Sequence, residues 1–584
     1  MLSWLIQEKV VEVLKDSFGS LLSQADWEKV EAAVCQNPAF GHYQCSAPLV
    51  LAKELKSAPR EIASRIVKGL QEMEKTAALA FFEKIEIAGA GFINFTFNRA
   101  FLSGFLNRLS FDPLLGAHFF KKRQRIIVEF SSPNVAKELH VGHLRSTIIG
   151  DALARLFEFL GQDVIRLNHI GDWGTQFGML IAYLEEKKQT DLKDFDVAGL
   201  TGLYKAAKKK FDEDGAFKKQ AQLRVVALQR GEKQARRIWE QICAISRKYF
   251  EEIYTLLDVR IKERGESFYN PELPSVVENL EEQGLIEVSD GAKCLFLEGF
   301  LNREGRPLPL MVQKSDGGYN YDTTDIAAMR QRALEEKADR IIVVTDAGQS
   351  LHFQMVYAAC LKAHYLDPQK TRFDHVPFGL VLGPDGKKFK TREGETEKLI
   401  DLLKGAVEKA SGLLEERKSD LPAEEKAALA RILGFNAIKY ADLSCHRVKD
   451  YLFSYERMLK FEGNTAAFLL YSYVRILGIQ RKIPGETEEL IKSAKIDLEH
   501  PSEMALGMHL ARFAEVVFEM QKELLPNRLC DYLYELAEKF NAFFRDCRVE
   551  GDPKQKARLA LCFLVQKIFE KGFMILGLKT AERM

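Results

Sequence analysis

The sequence is short of the features that would place it at a glance. Its nine cysteines (35, 45, 243, 294, 360, 445, 530, 547 and 562) are an odd, scattered set with no CxxC pair. That excludes a disulfide framework and speaks against a structural zinc site. Reduced, mostly buried thiols in a cytoplasmic protein are the expectation. No apolar run is long enough to span a bilayer. The N-terminal "MLSWLIQEKVVEVLKDSF" is broken by Glu8, Lys9, Glu12 and Lys15, so it reads as an amphipathic helix rather than a secretory leader. Charge of one sign is missing too. The 84 Lys and Arg face 83 Asp and Glu, a net charge of +1. Any anionic partner must therefore be met by local patches. Neither a P-loop (GxxxxGKS/T), a GxGxxG fingerprint nor HExxH occurs, which removes the main support for ordinary NTPase, dinucleotide and zincin chemistry. Internal repeats, low-complexity segments and long heptad runs are absent as well.

What is present is a long soluble chain. With 584 residues, 46% hydrophobic and 29% charged, it exceeds one hydrophobic core and implies roughly three or four domains. Residues 1–115 read as α+β: helical "APREIASRIVKGLQEME" precedes strand-like "GAGFINFTF". From 116 to 185, the basic "KKRQR" feeds the apolar strand "IIVEF", the polar turn "SSPN", the helix "GHLRSTIIGDALARLFEFLG" and a second strand "QDVIRL". Leu144, Ile148, Leu156 and Leu160 fall at helical spacing and Gly161 ends the helix, giving one βαβ unit of a parallel sheet. Residues 186–305 are rich in Lys and Glu with helical periodicity and read as an insertion. Residues 306–421 restore the α/β rhythm with "DRIIVVTDAGQSLHFQMVYAACLKA", and 422–584 read as a separate helical domain.

Within the βαβ unit stand His140 and His143, around Gly142 and downstream of Lys137. Zinc needs further ligands, and the nearest third histidine, His169, follows the next strand. A packed histidine pair is the ordinary alternative. The position argues for phosphate: the pair lies at the carboxyl end of a strand and the start of a helix, where ligands bind in open α/β sheets and N–H groups attract anions. Gly142 permits close approach of the backbone to a ligand. A second phosphate candidate is "KKFKTR" (387–392), four cations in six residues.

"HVGH" together with "KKFKTR" resembles the His-x-Gly-His and KMSKS motifs of class I aminoacyl-tRNA synthetases. More of the chain resembles one family among them, the arginyl-tRNA synthetases. The blocks are "YQCSAPLVLAKELKSAPREIA", "GAGFINFTF", "SSPNVAKELHVGHLRSTIIGD", "NHIGDWGTQFG", "TDAGQSLHFQ", "YADLSCHRVKDYLFSYERMLKFEGNTAAFLLYSYVRI" and "ILGLKTAERM", spanning about residue 40 to Met584. The resemblance implies an α/β, Rossmann-type parallel-sheet catalytic domain, an α+β N-terminal domain that touches tRNA, and an all-α C-terminal anticodon-binding domain. It implies arginine activation by ATP with Mg²⁺, then transfer to tRNA(Arg).

Residue by residue, the resemblance implies that His140 and His143 serve the α-phosphate, with His143 also bordering arginine. Lys388 matches the first KMSKS lysine, whereas Thr391 stands at the second. Family members with that departure carry a Lys just before the first histidine, here Lys137; Lys390 competes for the role. For arginine the implied candidates are Glu129, Ser132, Asn134, Tyr321, Asp325 and Gln349. Carboxylates suit a planar guanidinium, which is always charged and best held by two parallel hydrogen bonds. Asp325 has a structural alternative as a helix N-cap. Trp173 reads as a pocket wall, with Gln176 a weaker candidate. Tyr471, Tyr473, Arg475 and Arg481 are candidates for stacking and cation contacts to the anticodon, with core packing as the alternative for the aromatic stripe. A monomer is expected. A catalytically inactive paralogue that binds RNA, or a His-x-Gly-His nucleotidylyltransferase, are the competing readings.

Overall fold

The computed structural model describes residues 1–76, 79–383, 385–387, 389, 397–417, 420–483 and 494–584. Lys388 and Lys390, with Thr391, lie outside the described residues.

The N-terminal helix Leu2–Phe18 buries Leu2, Ile6, Val10 and Leu14, one every fourth position, which is the stripe its amphipathic pattern demands. It packs with β1 (Ala32–Val34), β2 (Tyr43–Cys45), β3 (Phe82–Ala88) and β4 (Phe92–Phe97), an antiparallel sheet in the order β1-β2-β4-β3. Glu515 of the C-terminal helices ties this domain down: it accepts from the Ser3 backbone N–H at 2.7 Å and from the Tyr43 hydroxyl at 2.8 Å.

The next strands are β5 (Arg125–Glu129), β6 (Asp163–Asn168) and β7 (Lys262–Glu263). A small antiparallel sheet follows, β8 (Glu287–Ser289), β9 (Ala292–Leu301) and β10 (Pro307–Gln313), then β11 (Arg340–Asp346) and β12 (Arg372–Phe378). The central sheet has the order β12-β11-β5-β6-β7 and is parallel throughout. The chain leaves β5 toward β6 and β7 and later returns to β11 on the other flank. Such a reversal opens a crevice outside the carboxyl ends of β5 and β11. Alternation along β5 sends Ile126 and Val128 to one apolar core and Ile127 to the other, so both faces of the sheet are covered.

Three insertion helices, Val197–Glu213, Gly215–Gln229 and Lys233–Leu256, stand between β6 and β7. From Leu399 onward the described residues form helices and their connections apart from β14 (Tyr451–Leu452), which pairs in parallel with β13 (Val381–Leu382). That pairing ties the strand before the lysine-rich segment to the helical domain. Arg145, two residues after His143, reinforces the joint. It is wholly buried, pairs with Asp442 at 3.1 Å and donates to the carbonyls of Gly379 (2.8 Å) and Lys449 (3.0 Å). All nine cysteines are free, with only Cys35 and Cys445 partly exposed. Among the described residues no helix is long and apolar enough to cross a membrane.

Candidate active site

The loop after β5 is strained and held from three sides. Ser131, Ser132 and Ala136 have φ of 68°, 46° and 63°, the left-handed region that disfavours L side chains by roughly 1–2 kcal/mol per residue. A side chain from a different element takes the backbone N–H of each. Ser131 donates to Ser146 Oγ (2.9 Å), Ser132 to Asn168 Oδ1 (3.0 Å) and Ala136 to Ser246 Oγ (3.0 Å). Strain persists where surrounding structure over-determines it, and it concentrates at functional sites. Asn134 is clasped to the loop after β6: Val135 N–H donates to the Gly171 carbonyl and Gly171 N–H to the Pro133 carbonyl. A Cβ on Gly171 would lie 2.2 Å from Asn134 Oδ1, so any side chain there would displace the Asn134 amide.

The two histidines start the helix Val141–Phe159 as a reciprocal capping box. His140 is the N-cap and its Nδ1 accepts from Gly142 N–H at 3.1 Å, while His143 Nδ1 accepts from His140 N–H at 3.1 Å. This spends two of the free amides that the sequence pattern offers to an anion. It also fixes the rings. With each Nδ1 an acceptor, the ring proton of each imidazole is carried on Nε2, which makes the ε edges the donors. The rings lie 4.0 Å apart. Burial, then the neighbouring His140, push His143 down to about 3, so it is neutral at physiological pH. Gly142 also has a use within the protein itself: a Cβ there would meet the His140 ring at 2.9 Å. The glycine makes room for the imidazole over the helix N-terminus.

Across the crevice, Asn320 caps the helix Tyr321–Leu334 by accepting from Asp322 N–H at 2.7 Å. Asp325 therefore stands one turn inside the helix rather than at its cap. Asp325 Oδ2 lies 2.6 Å from His352 Nε2, and His352 Nδ1 lies 3.1 Å from Asp322 Oδ1. Only an imidazolium can donate from both ring nitrogens at once. Burial alone would depress His352, but its hydrogen bonds to Asp322 and Asp325 outweigh that and raise it to about 9. The other Asp325 oxygen faces His169 Nε2 at 3.8 Å. His169 follows Asn168, the residue holding Ser132, so the two sides of the crevice are linked through the end of β6. His169 thus faces a carboxylate rather than completing a metal triad with His140 and His143. Glu266 lies close by, pushed up to about 8 by burial, then by Asp325 and Asp172.

The remaining candidates are placed as follows. Glu129 ends β5 and is buried with one oxygen 2.5 Å from Arg332 Nη1. Tyr321 is 60% exposed, its ring 5.1 Å from that of His352. Gln349 is exposed in the 3-10 turn Ala347–Gln349 at the end of β11. Lys137 Nζ rests on the ring of Tyr204 at 4.8 Å. Trp173 packs edge-on to Trp239 of the insertion at 5.8 Å, and Gln176 donates to the Gly171 carbonyl at 3.0 Å. In the helical domain Arg475 lies between the rings of Tyr471 (4.8 Å) and Phe544 (5.0 Å), in a groove of about 450 Å³ edged by Lys482, Arg545 and Arg548. Tyr473 points inward, 6% exposed, with its hydroxyl 3.0 Å from Glu570, and Arg481 donates to the Glu582 carbonyl.

The sequence alone gives no role to His352 or Glu266, and His169 enters only as a possible third zinc ligand. His352 stands inside "TDAGQSLHFQ", one helical turn after Gln349, a spacing that could have flagged it. Glu266, in "RGESFY" of the insertion, carries no such signal.

Histidines whose pKa the fold shifts make stability depend on pH. His143, His375 and His509 are lowered to about 3, 4 and 3, burial being the largest cause in each. The unfolded chain, titrating near 6.5, binds more protons between those limits, so their contribution is full above about 6.5 and is lost as pH falls toward 3. His352 has the opposite sign: its contribution is full below about 6.5 and is lost as pH rises through about 9. Urea unfolding midpoints should drop clearly from pH 7 to pH 5. An unchanged midpoint over that span would contradict the neutral state of the three rings.

A parallel sheet whose switch point carries His-x-Gly-His at a helix start is the frame of a class I aminoacyl-tRNA synthetase. Residues 109–455 match the model described as the catalytic domain of class I tRNA synthetases (R). Residues 5–97 match the arginyl tRNA synthetase N-terminal domain and 469–584 the DALR anticodon binding domain. The chain belongs to the arginyl-tRNA synthetase family. It is 59% identical over 548 residues to the arginine–tRNA ligase of Protochlamydia amoebophila, covering 93% of each chain. With that of Nostoc sp. it shares 49% identity, over 99% of this chain and 98% of the other. The crystal structure of arginyl-tRNA synthetase from Plasmodium falciparum superposes with a TM-score of 0.84 at 32% identity, over 100% of this chain and 99% of that one.

Proposed function

We propose that the chain activates L-arginine with ATP and transfers it to tRNA(Arg). An oxygen of the arginine carboxylate attacks the α-phosphorus, the bond to the bridging oxygen breaks, and pyrophosphate leaves with the electron pair. A terminal ribose hydroxyl of the tRNA then attacks the acyl carbon, gives up its proton, and AMP departs. The observation that carries this reading is the linkage through the end of β6: Asn168 holds Ser132 in the loop that leads to the histidine pair, and the next residue, His169, faces Asp325 with its imidazolium partner His352.

In this proposal the Nε2–H groups of His140 and His143 meet charge growing on the α-phosphate, acting as fixed donors that need no reorganisation. Lys137, with Lys388 and Lys390 of the lysine-rich segment, serves the leaving pyrophosphate. Asp325 takes the guanidinium, flanked by Tyr321 and Gln349; Ser132, Asn134 and Glu129 border the rest of the amino acid, and His143 lies between the two groups. Mg²⁺ accompanies ATP as its counter-ion on the phosphates in this reading. Tyr471 and Arg475 face the tRNA anticodon; Tyr473 supports them from the core. The nine unpaired thiols support a cytoplasmic location, and a monomer is proposed.

ATP–pyrophosphate exchange with each amino acid, with and without tRNA(Arg), tests the reading. Exchange should be confined to arginine. Lysine should fail, because it leaves hydrogen-bonding groups of the pocket unpaired. Absence of exchange with arginine even when tRNA is present would reject the proposal in favour of a non-catalytic RNA-binding role.

A further inference from the structure

The insertion helices do more than fill space between β6 and β7. Three of their side chains reach the strained loop that precedes the histidines. Ser246 takes the N–H of Ala136, whose φ is 63°. The Tyr254 hydroxyl lies 2.8 Å from Ser131 Oγ. Tyr204, on the helix Val197–Glu213, presents its ring face to Lys137 Nζ at 4.8 Å. The Tyr204 ring is itself wedged between two apolar clusters, one shared with the sheet domain and one confined to helices Thr175–Glu186, Val197–Glu213 and Gly215–Gln229.

The partner chosen for Lys137 matters. Its neighbour Glu138 is paired with Lys398 at 3.0 Å, and among the described residues Lys137 makes no ion pair. A carboxylate would neutralise the ammonium. A ring face orients it and leaves the charge unspent, available to an incoming polyanion. The charge is near the site, since it is one of the causes that depress His143, after burial and His140. The left-handed turn at Ala136, pinned by Ser246, sets the direction in which Lys137 leaves the loop.

We infer that Tyr204 is a positioning residue for arginine activation: its ring holds the Lys137 ammonium beside the histidine pair, so that the helical insertion 197–256 takes part in aligning the phosphate-binding cation. This rests on the phosphate role proposed for Lys137.

A double-mutant cycle in the full chain tests it, read as arginine-dependent exchange with tRNA(Arg) present. Lys137→Met should lower kcat about 100-fold, the scale of losing one charged donor to a transition state. Tyr204→Leu should lower kcat about tenfold with the KM for arginine within about twofold, and Tyr204→Phe, which keeps the ring face, should restore most of the turnover. In the Lys137→Met background Tyr204→Leu should have no further effect, because residues acting through one another are not additive. Equal losses on both backgrounds, or a Phe variant as poor as Leu, would overturn the inference. Full activity of Lys137→Met would overturn the phosphate role of Lys137 and the inference with it. Should Tyr204→Leu fail to fold, Tyr204→Met provides the second variant, an apolar side chain without a ring face, and it should lower kcat about tenfold with Lys137 present and not in the Lys137→Met background. Unaltered kcat in a folded Tyr204→Met variant would overturn the inference.

Discussion

Asp325→Ala should reduce arginine-dependent pyrophosphate exchange about a thousandfold, expressed as kcat/KM for arginine, which corresponds to about 4 kcal/mol. Truncating one partner of a buried, hydrogen-bonded charge pair costs about 2–5 kcal/mol, much of it from the charge left behind. Here two cations lose a partner: the guanidinium of the substrate and the imidazolium of His352, which now sits 2.6 Å from Asp325 Oδ2. His352 retains Asp322 at 3.1 Å, and the helix keeps its Asn320 cap, so the fold should survive. The loss should fall on arginine KM more than on the KM for ATP, since Asp325 stands across the crevice from the histidines. Near-normal arginine KM in a folded variant would remove Asp325 from the pocket.

His140→Asn should lower kcat about 100- to 1000-fold with little change in thermal stability, the usual cost of removing one donor from a developing oxyanion. The choice of asparagine separates two jobs. His140 is the N-cap of its helix and accepts from Gly142 N–H. Asparagine is among the best N-caps, so it can take over that amide, but it has no ring to carry an Nε2–H donor. His140→Ala should lose about 1 kcal/mol of stability in addition, because alanine cannot cap. Thermal unfolding and steady-state exchange on both variants resolve the question. Turnover of the asparagine variant within about twofold of the unaltered chain would make His140 a cap and nothing more.

The two histidines show how far local pattern carries. A strand, a polar turn and a helical period can be read along the chain, and together they place His140 and His143 where ligands bind. The capping box cannot be read that way, because it depends on which ring nitrogen meets which amide. Gly142 was legible as a special position, and the His140 ring beside it is a reason that only the structure supplies. The arginine side was legible as a set of polar residues and illegible as a circuit. His352 and Asp325 are 27 positions apart, and Glu129 meets Arg332 only because β5 and the helix Tyr321–Leu334 are packed together. In the C-terminal domain the aromatic stripe divided between two faces of one helix: Tyr471 is 41% exposed beside Arg475, while Tyr473 is buried against Glu570.

The amino-acid order alone determined what is local or periodic: the βαβ unit, the helical tail, the missing second lysine at Thr391, and the blocks that mark the arginyl-tRNA synthetase family. The tertiary structure decided what depends on partners distant in sequence. It clamped His352 between two carboxylates, braced the strained loop from Ser246 and Tyr254, and set Lys137 on the face of Tyr204. Those outcomes turn on distances and burial, because the charge of an imidazole or the direction of an ammonium is governed by the groups that surround it, and only folding brings them together.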